Sequence, residues 1–233
     1  MSNSIFDVER YRRDGSTIAV NLLDPHTLAA VLSQAEGVIA HAAELEQSIG
    51  DFNLEAPGGG YLEMTQAHAT AYRGVLRKVS NYVDHSPAAL QVSRDLVGAA
   101  AELLDGRVRL VHSILWCKPA RGVGSAKPPH QDAPYLAGDP GDYVTMWIAL
   151  DLCTPENGCL YMMAGSHATG LREHHSAELQ VGSDTWSQDD AQAVVLDPGG
   201  AVAFHPLTLH ASAVNRSDRP RRALMLRYQR VIE

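Results

Sequence analysis

The sequence predicts a mainly β fold, an antiparallel sandwich or barrel with helices packed on one side. Three observations carry this reading. Apolar residues recur at helical spacing up to about residue 105, the pattern changes near Gly106 to short β-type runs, and dense turn signals separate those runs. At 233 residues, 45% apolar and 20% charged, the chain has the size of one globular domain with a core of its own. That domain is taken as residues 1–233, with a helical part over about 1–105 and a β core over about 106–233.

Asp24 followed by Pro25 marks a helix start, because the carboxylate accepts from the open N–H groups of the first turn and proline's fixed φ suits the first helical position. Leu28, Val31, Leu32, Ala35 and Ile39 then share one face. Ser86 and Pro87 repeat the device, with Leu90, Leu96, Val97, Ala100 and Leu104 as the apolar stripe and Asp105-Gly106 as the stop. A weaker helical pattern covers 66–82. Strands are expected over 107–117, 143–151, 159–164, 193–196, 201–209 and 223–231. Turn residues fall between them at Asp139-Pro140-Gly141, Pro155-Glu156-Asn157-Gly158 and Asp197-Pro198-Gly199-Gly200. Residues 52–64, with Gly58-Gly59-Gly60, and 165–192 read as long loops of the kind that form lids or binding segments.

A net charge of −8 and an excess of acids over bases disfavour a nucleic-acid or anionic-membrane surface, since both need a concentrated basic patch. A small-molecule partner is the expectation; nothing in the sequence speaks to oligomeric state. The first residues carry charges where a signal peptide needs an apolar run, and no stretch has the length of a membrane span, so a cytoplasmic protein is expected. Cys117, Cys153 and Cys159 show no paired spacing and read as reduced, buried thiols.

The chemistry is carried by Pro128-Pro129-His130-Gln131-Asp132. In an extended segment residues i and i+2 point to one face, so His130 and Asp132 can present an imidazole and a carboxylate to one point. Two neutral nitrogens and one anionic oxygen on one side of a metal suit iron(II) and leave positions open for exchangeable ligands. The second histidine must come from elsewhere. His210, at the end of the run 201–209, is the leading candidate, with His205 its competitor. A His-x-Asp pair alone is common as a capping or hydrogen-bonding pair; Arg221 adds context. A guanidinium forms two parallel charge-assisted bonds to a carboxylate, which suits it to hold the far end of a diacid co-substrate, and Ser212 is placed to donate a hydroxyl to the same group.

Over these residues the chain resembles the phytanoyl-CoA dioxygenase family. The likeness begins at Tyr11-Arg-Arg-Asp-Gly15, continues through Leu110 to Pro119, and becomes specific over His130-Gln-Asp-Ala-Pro-Tyr135. It then runs through Trp147 to Asp151, Glu156 to Leu160, Gly165-Ser-His167, and His210 to Arg221. The resemblance implies a double-stranded β-helix (a jelly-roll, cupin-like), the cofactors Fe(II), 2-oxoglutarate and O2, and His130, Asp132 and His210 as metal ligands. It further implies co-substrate contacts from Arg221, Ser212 and Trp147, and oxidation of a small metabolite with release of succinate and carbon dioxide. Related halogenases carry a small residue in place of Asp132, so its presence points to hydroxylation, desaturation or cyclisation. Pro129 departs from the aromatic residue that many members place before the first ligand. The sequence ends soon after Arg221, at Glu233, so the C-terminal segments that close the site in longer relatives are not expected. A coenzyme A thioester is not implied by any feature; a natural-product intermediate fits as well.

Other polar residues are weighed against plainer roles. Gln131 and Tyr135 flank the ligands and are candidate substrate contacts. His112 reads as a core histidine with a cavity-facing alternative, His167 as a turn residue, and His174 and His175 as solvated. Arg219 and Arg222 read as solvent-facing, although a one-residue slip would make Arg222 the anchor. The competing functions are a cupin-like metalloenzyme that does not use 2-oxoglutarate, which leaves Arg221 and Ser212 unexplained, and a non-catalytic scaffold.

Overall fold

The computed structural model describes residues 4–55, 72–175, 180–182 and 184–231. A short helix α1 (Val8–Asp14) is capped by Asp7 and leads into strand β1 (Ser16–Ala19). Helix α2 (Pro25–Ala42) starts where its cap predicts, with the Asp24 carboxylate accepting from the N–H groups of His26 and Thr27 at 2.8 and 3.0 Å. Strands β2 (Phe52–Leu54) and β3 (Leu76–Ser80) precede helices α3 (Pro87–Asp95) and α4 (Val97–Leu104). There follow β4 (Val108–Lys118), β5 (Lys127–His130), β6 (Tyr143–Ala149), β7 (Leu160–Met162), β8 (His174–His175) and β9 (Gln180–Val181). The last strands are β10 (Gln192–Val194), β11 (Ala201–Phe204), β12 (His210–Ser212) and β13 (Arg221–Arg230).

These form a seven-stranded sheet ordered β1-β11-β6-β13-β4-β3-β2, a four-stranded sheet ordered β10-β7-β12-β5, and the β8-β9 pair. Every pairing is antiparallel. Two such sheets packed face to face make the double-stranded β-helix, and the two buried clusters show which face meets what. Leu115, Val144, Met146, Ile148, Leu224, Leu226 and Tyr228 of the large sheet pack against Val31, Ala35, Ala89, Val92 and Ala100 of the helices. Trp147, Ala223 and Met225, on its other face, pack against Leu160 and Met162 of the small sheet. Strand β6 is covered on both sides and is buried at all seven positions, which is why it reads as a continuous apolar run. Strand β13 sends Leu224, Leu226 and Tyr228 toward the helices and Arg221, Ala223, Met225 and Arg227 toward the small sheet.

Within the secondary structure, the strand expected over 201–209 ends at Phe204, and three further stretches depart from the sequence-based expectations. Within 66–82, residues 66–71 lie outside the described residues. The remainder is no helix: Leu76–Ser80 is strand β3, because Lys78, Val79 and Ser80 find partners in Trp116, Leu115 and Ile114 of β4, and a 3-10 turn covers Tyr82–Asp84. The helix opening at Ser86 is broken at Leu96, whose ψ of −1° ends one helix and starts the next, so Val97 is left 38% exposed instead of on the stripe. Of the two expected loops, the first contributes β2, with 56–64 outside the described residues. The second contains a 3-10 turn at Ser166–Thr169 as well as β8 and β9.

Candidate functional site

His130 ends β5 and His210 opens β12, directly opposite each other across the antiparallel pair, with ring centroids 4.1 Å apart. Their Nδ1 atoms lie 2.9 Å from the carbonyl oxygens of Pro128 and Thr208. A carbonyl only accepts, so each Nδ1 carries the proton and each Nε2 presents a lone pair inward. Asp132 reaches the same point by a different route from the one the sequence suggests. The strand stops at His130; Asp132 has helical φ/ψ of −77° and −20° at the start of a 3-10 turn, and its N–H donates to Pro206 at 2.8 Å. Its Oδ1 lies 3.6 Å from His130 Nε2 and 3.8 Å from His210 Nε2. Among the described residues this is the one His/Cys/Asp/Glu cluster with metal-ligand spacing, and all three members are buried. Neighbouring ligands bound about 2.1 Å from a shared ion lie about 3 Å apart, so small side-chain shifts seat a cation here.

Burial pushes the His130 imidazole down to about 3, with His210 adding to the effect, and burial lowers His210 as well; both are neutral donors. For Asp132 burial is the largest influence and works the other way, but Arg227, His130 and His210 together outweigh it and hold the carboxyl well below the usual carboxylate range. Arg227, buried on β13, donates from Nη2 to Asp132 Oδ2 and from Nε to Thr145 Oγ1 at 2.9 Å, while Thr145 donates to the same Oδ2 at 3.4 Å. With Oδ2 occupied in this way, Oδ1 alone faces the histidines. Arg227 escaped the sequence reading. Its signal was phase, six residues beyond Arg221 and therefore on the same face of the strand.

A cavity of about 470 Å³ opens over these groups between the two sheets. Arg221 lines it, is 4% exposed, and meets no carboxylate among the described residues; its Nε has no hydrogen-bond partner there, and the guanidinium sits 5.1 Å over the Trp147 ring. Ser212 also lines the cavity and accepts from Lys118 Nζ at 2.8 Å, which leaves its own proton for another acceptor. Lys118, also missed, donates in addition to the Ala213 carbonyl at 2.5 Å, and burial together with Arg221 holds its amine well below the ordinary lysine value. Gly158, at φ +76°, makes room for this lysine, since a Cβ there would stand 2.9 Å from Lys118 Cδ.

The neighbouring arginines take other directions. Arg222 forms a bidentate pair with Asp151, at 2.9 and 2.8 Å, on the opposite side of β13, and Arg219 is exposed. Gln131 does not line the cavity. It is fully buried, its amide donating to the carbonyls of Gly170 and Leu207 and accepting from the Arg172 N–H, because the turn at Asp132 rotates it away from the ligands. Tyr135 does line the cavity, 38% exposed, with Lys127 Nζ 3.1 Å from its hydroxyl. His112 is exposed and cavity-facing, not a core residue. His205 accepts from the Leu207 N–H and stacks near His167, away from the triad, and His167 meets the Arg12 carbonyl. His174 accepts from the Gln131 N–H, so it braces the ligand turn.

Fold and site together define a class: a double-stranded β-helix protein with two histidines and one carboxylate grouped beside an inward-facing arginine. The chain belongs to the phytanoyl-CoA dioxygenase (PhyH) family, whose model matches residues 11–223. A probable phytanoyl-CoA dioxygenase of Caenorhabditis elegans is 29% identical over 153 residues, covering 61% of this chain and 48% of that protein. The chain thus spans about half the length, or less, of curated relatives that it matches. The crystal structure of AviO1 from Streptomyces viridochromogenes Tue57 aligns with a TM-score of 0.72 at 27% identity, over 95% of this chain and 92% of that one. The epimerase SnoN from nogalamycin biosynthesis, solved with Fe3+, alpha ketoglutarate and nogalamycin RO, shares the fold with a TM-score of 0.71 at 21% identity, over 96% of this chain and 82% of that one.

Proposed function

We propose that residues 1–233 form one iron(II)- and 2-oxoglutarate-dependent dioxygenase domain that oxidises a C–H bond of a small molecule, with His130, Asp132 and His210 as the iron ligands. The observation that carries this reading is the buried Arg221 guanidinium, which shares a cavity with the triad and meets no carboxylate among the described residues. A buried unpaired charge is costly, and a diacid spanning the cavity would relieve it. Family membership and the iron and alpha ketoglutarate held by SnoN support the same choice. When bound, ferrous iron with 2-oxoglutarate reduces dioxygen, yields succinate and carbon dioxide, and delivers one oxygen atom for oxidation of the substrate.

The side chains divide the remaining work. The two Nε2 atoms and Asp132 Oδ1 hold the metal on one side, while Arg227 and Thr145 keep Oδ2 turned away. Arg221 and Ser212 hold the remote carboxylate over the Trp147 wall, and Lys118 fixes the Ser212 hydroxyl. We place the protein in the cytoplasm, with no nucleic-acid or membrane partner. Its cysteines are free and buried, and among the described residues no helix is long and apolar enough to cross a membrane.

The test is anaerobic addition of iron(II) and 2-oxoglutarate. A weak visible charge-transfer band that fades in air with formation of succinate is expected. Tight metal binding with neither band nor succinate would refute the reading and favour a cupin-like enzyme that does not use the keto acid.

A further inference from the structure

The cavity wall beside the metal ligands carries two polar side chains that the oxygenase reading leaves unused. We infer that His112 and Ser80 recognise the prime substrate and that the group they hold is a neutral hydroxyl; the inference rests on the oxygenase reading above and names its substrate class.

Strand register places His112. Arg227, which holds the Asp132 carboxylate, is flanked within the large sheet by Thr145 of β6 on one side and His112 of β4 on the other. The β6 side is closed, since Thr145 and its neighbour Phe204 of β11 are buried. The β4 side is open, because His112 is exposed and lines the cavity. A molecule brought up to Asp132 from that side meets His112 first.

A break in the strand keeps this side chain there. Residues of one parity share a face in a regular strand, and Lys118, Trp116, Ile114 and His112 line the cavity together. Leu110 and Val108 have the same parity, yet they pack against the cluster on the helix side. The switch is a β-bulge. A single step from Arg227 to Tyr228 on β13 is matched by two on β4, from His112 to Leu110, which leaves Val111 as the extra residue. His112 thus ends the inward-facing row of β4, beside the metal ligands.

Ser80 of β3 pairs with Ile114 and lines the same cavity, one diagonal step from His112. Among the described residues, neither the Ser80 hydroxyl nor the His112 imidazole makes a hydrogen bond. Burial, then Arg227, lowers the His112 imidazole below 6.5 against the pull of Asp132, so at pH 7 it is neutral, with one nitrogen donating and the other accepting. The serine hydroxyl offers the same two roles. A substrate hydroxyl answers both at once, whereas an ionised carboxylate only accepts and an ammonium only donates. Ile114 and Trp116, between and beside the two, give the carbon frame an apolar surface to lie on.

The experiment uses protein loaded with zinc(II), which does not turn over, with saturating 2-oxoglutarate held constant, and follows the histidine ring protons by NMR. His112→Gln identifies the His112 signal by its loss. Cyclohexanol and benzyl alcohol are titrated against methoxycyclohexane and benzyl methyl ether, which keep the oxygen and lack its proton. The alcohols are expected to move the His112 signal and to bind at least about tenfold tighter than the ethers, because an ether leaves an acceptor in the wall without its bond. A His112→Leu, Ser80→Ala double variant should bring the ratio close to one, while His112→Gln, whose amide also donates and accepts, should keep most of it. Comparing alcohol with ether inside each protein removes any general loss of fold, and the titration of unaltered protein stands without the variants. A His112 signal indifferent to the alcohols, equal binding of alcohol and ether, or a preference that survives the double variant overturns the inference. Succinate formation by the iron protein in air separates the two readings. Succinate without alcohol preference sinks the substrate class alone, and absence of succinate sinks the oxygenase reading.

Discussion

Replacing Arg221 with Met should make the protein without co-substrate more stable and a poorer binder of 2-oxoglutarate at once. The guanidinium is 4% exposed and, among the described residues, has no carboxylate partner and an Nε without an acceptor. Exchanging a buried, uncompensated charge for a hydrophobe of similar length gains on the order of 1–2 kcal/mol. For a chain of this size that corresponds to a rise in Tm of roughly 2–8 °C. Binding moves the opposite way. Losing a bidentate charge-assisted contact removes about 3 kcal/mol, or about a hundredfold in the half-saturating concentration of 2-oxoglutarate. Thermal unfolding of the metal-free protein reads the first effect, and anaerobic titration of the charge-transfer band reads the second. Arg222→Met is the internal control, since its bidentate pair with Asp151 predicts a loss of stability with co-substrate binding intact. A lower Tm for Arg221→Met together with unchanged 2-oxoglutarate binding would refute the reasoning, and a co-substrate defect in the Arg222 variant would move the anchor by one residue.

Three further outcomes are expected. Asp132→Ala should weaken iron binding and abolish product formation; full turnover by this variant would show that the carboxylate is not a ligand. Arg227→Met frees Asp132 Oδ2 to swing onto the metal, so cobalt(II) spectra should shift toward a higher coordination number, with Arg227→Lys restoring part of the original spectrum. An unchanged spectrum in the Met variant would remove Arg227 from the site's architecture. The third concerns pH. Burial, with His167 adding to it, pushes His205 down from 6.5 to about 4, so the unfolded chain binds a proton in that window that the folded one refuses. Its contribution is complete above pH 6.5 and lost as pH falls toward 4, with a ceiling on the order of 3 kcal/mol. Urea unfolding from pH 7 to 4 should show a shallower loss for His205→Asn than for the unaltered protein, and parallel curves would contradict it.

How far the sequence disclosed this molecule depended on whether a residue's role was local. The helix caps at Asp24 and Ser86 are settled within one turn and were legible. Strands β4, β6 and β13, at 11, 7 and 10 residues, are long enough to stand out as runs between turn signals. Strand β5 was not legible, because Lys-Pro-Pro-His shows no alternation and pairs only through β12, which arrives eighty positions later as three residues. The grouping of His130, Asp132 and His210 came from motif and resemblance, while its geometric cause, a strand end followed by a turn, did not. Arg227 and Lys118 were hidden because their partners are distant in sequence, and Gln131 misled because adjacency to a ligand says nothing of direction across a turn.

Strand β13 has a consequence for selectivity. Arg221 and Arg227 are six residues apart on it, so their α-carbons are separated by about 20 Å of hydrogen-bonded backbone. On the proposed reading Arg227 would clamp the carboxylate of the metal site and Arg221 would meet the diacid's tail, so the strand would work as a gauge block for co-substrate length. Neighbours on both sides, β4 and β6, keep that gauge from stretching. A keto diacid longer by one methylene would have to buckle, and one shorter would fall out of reach of the guanidinium. On that reading the spacing between the two guanidinium groups would be set by main chain, and the side chains would supply the contacts at either end.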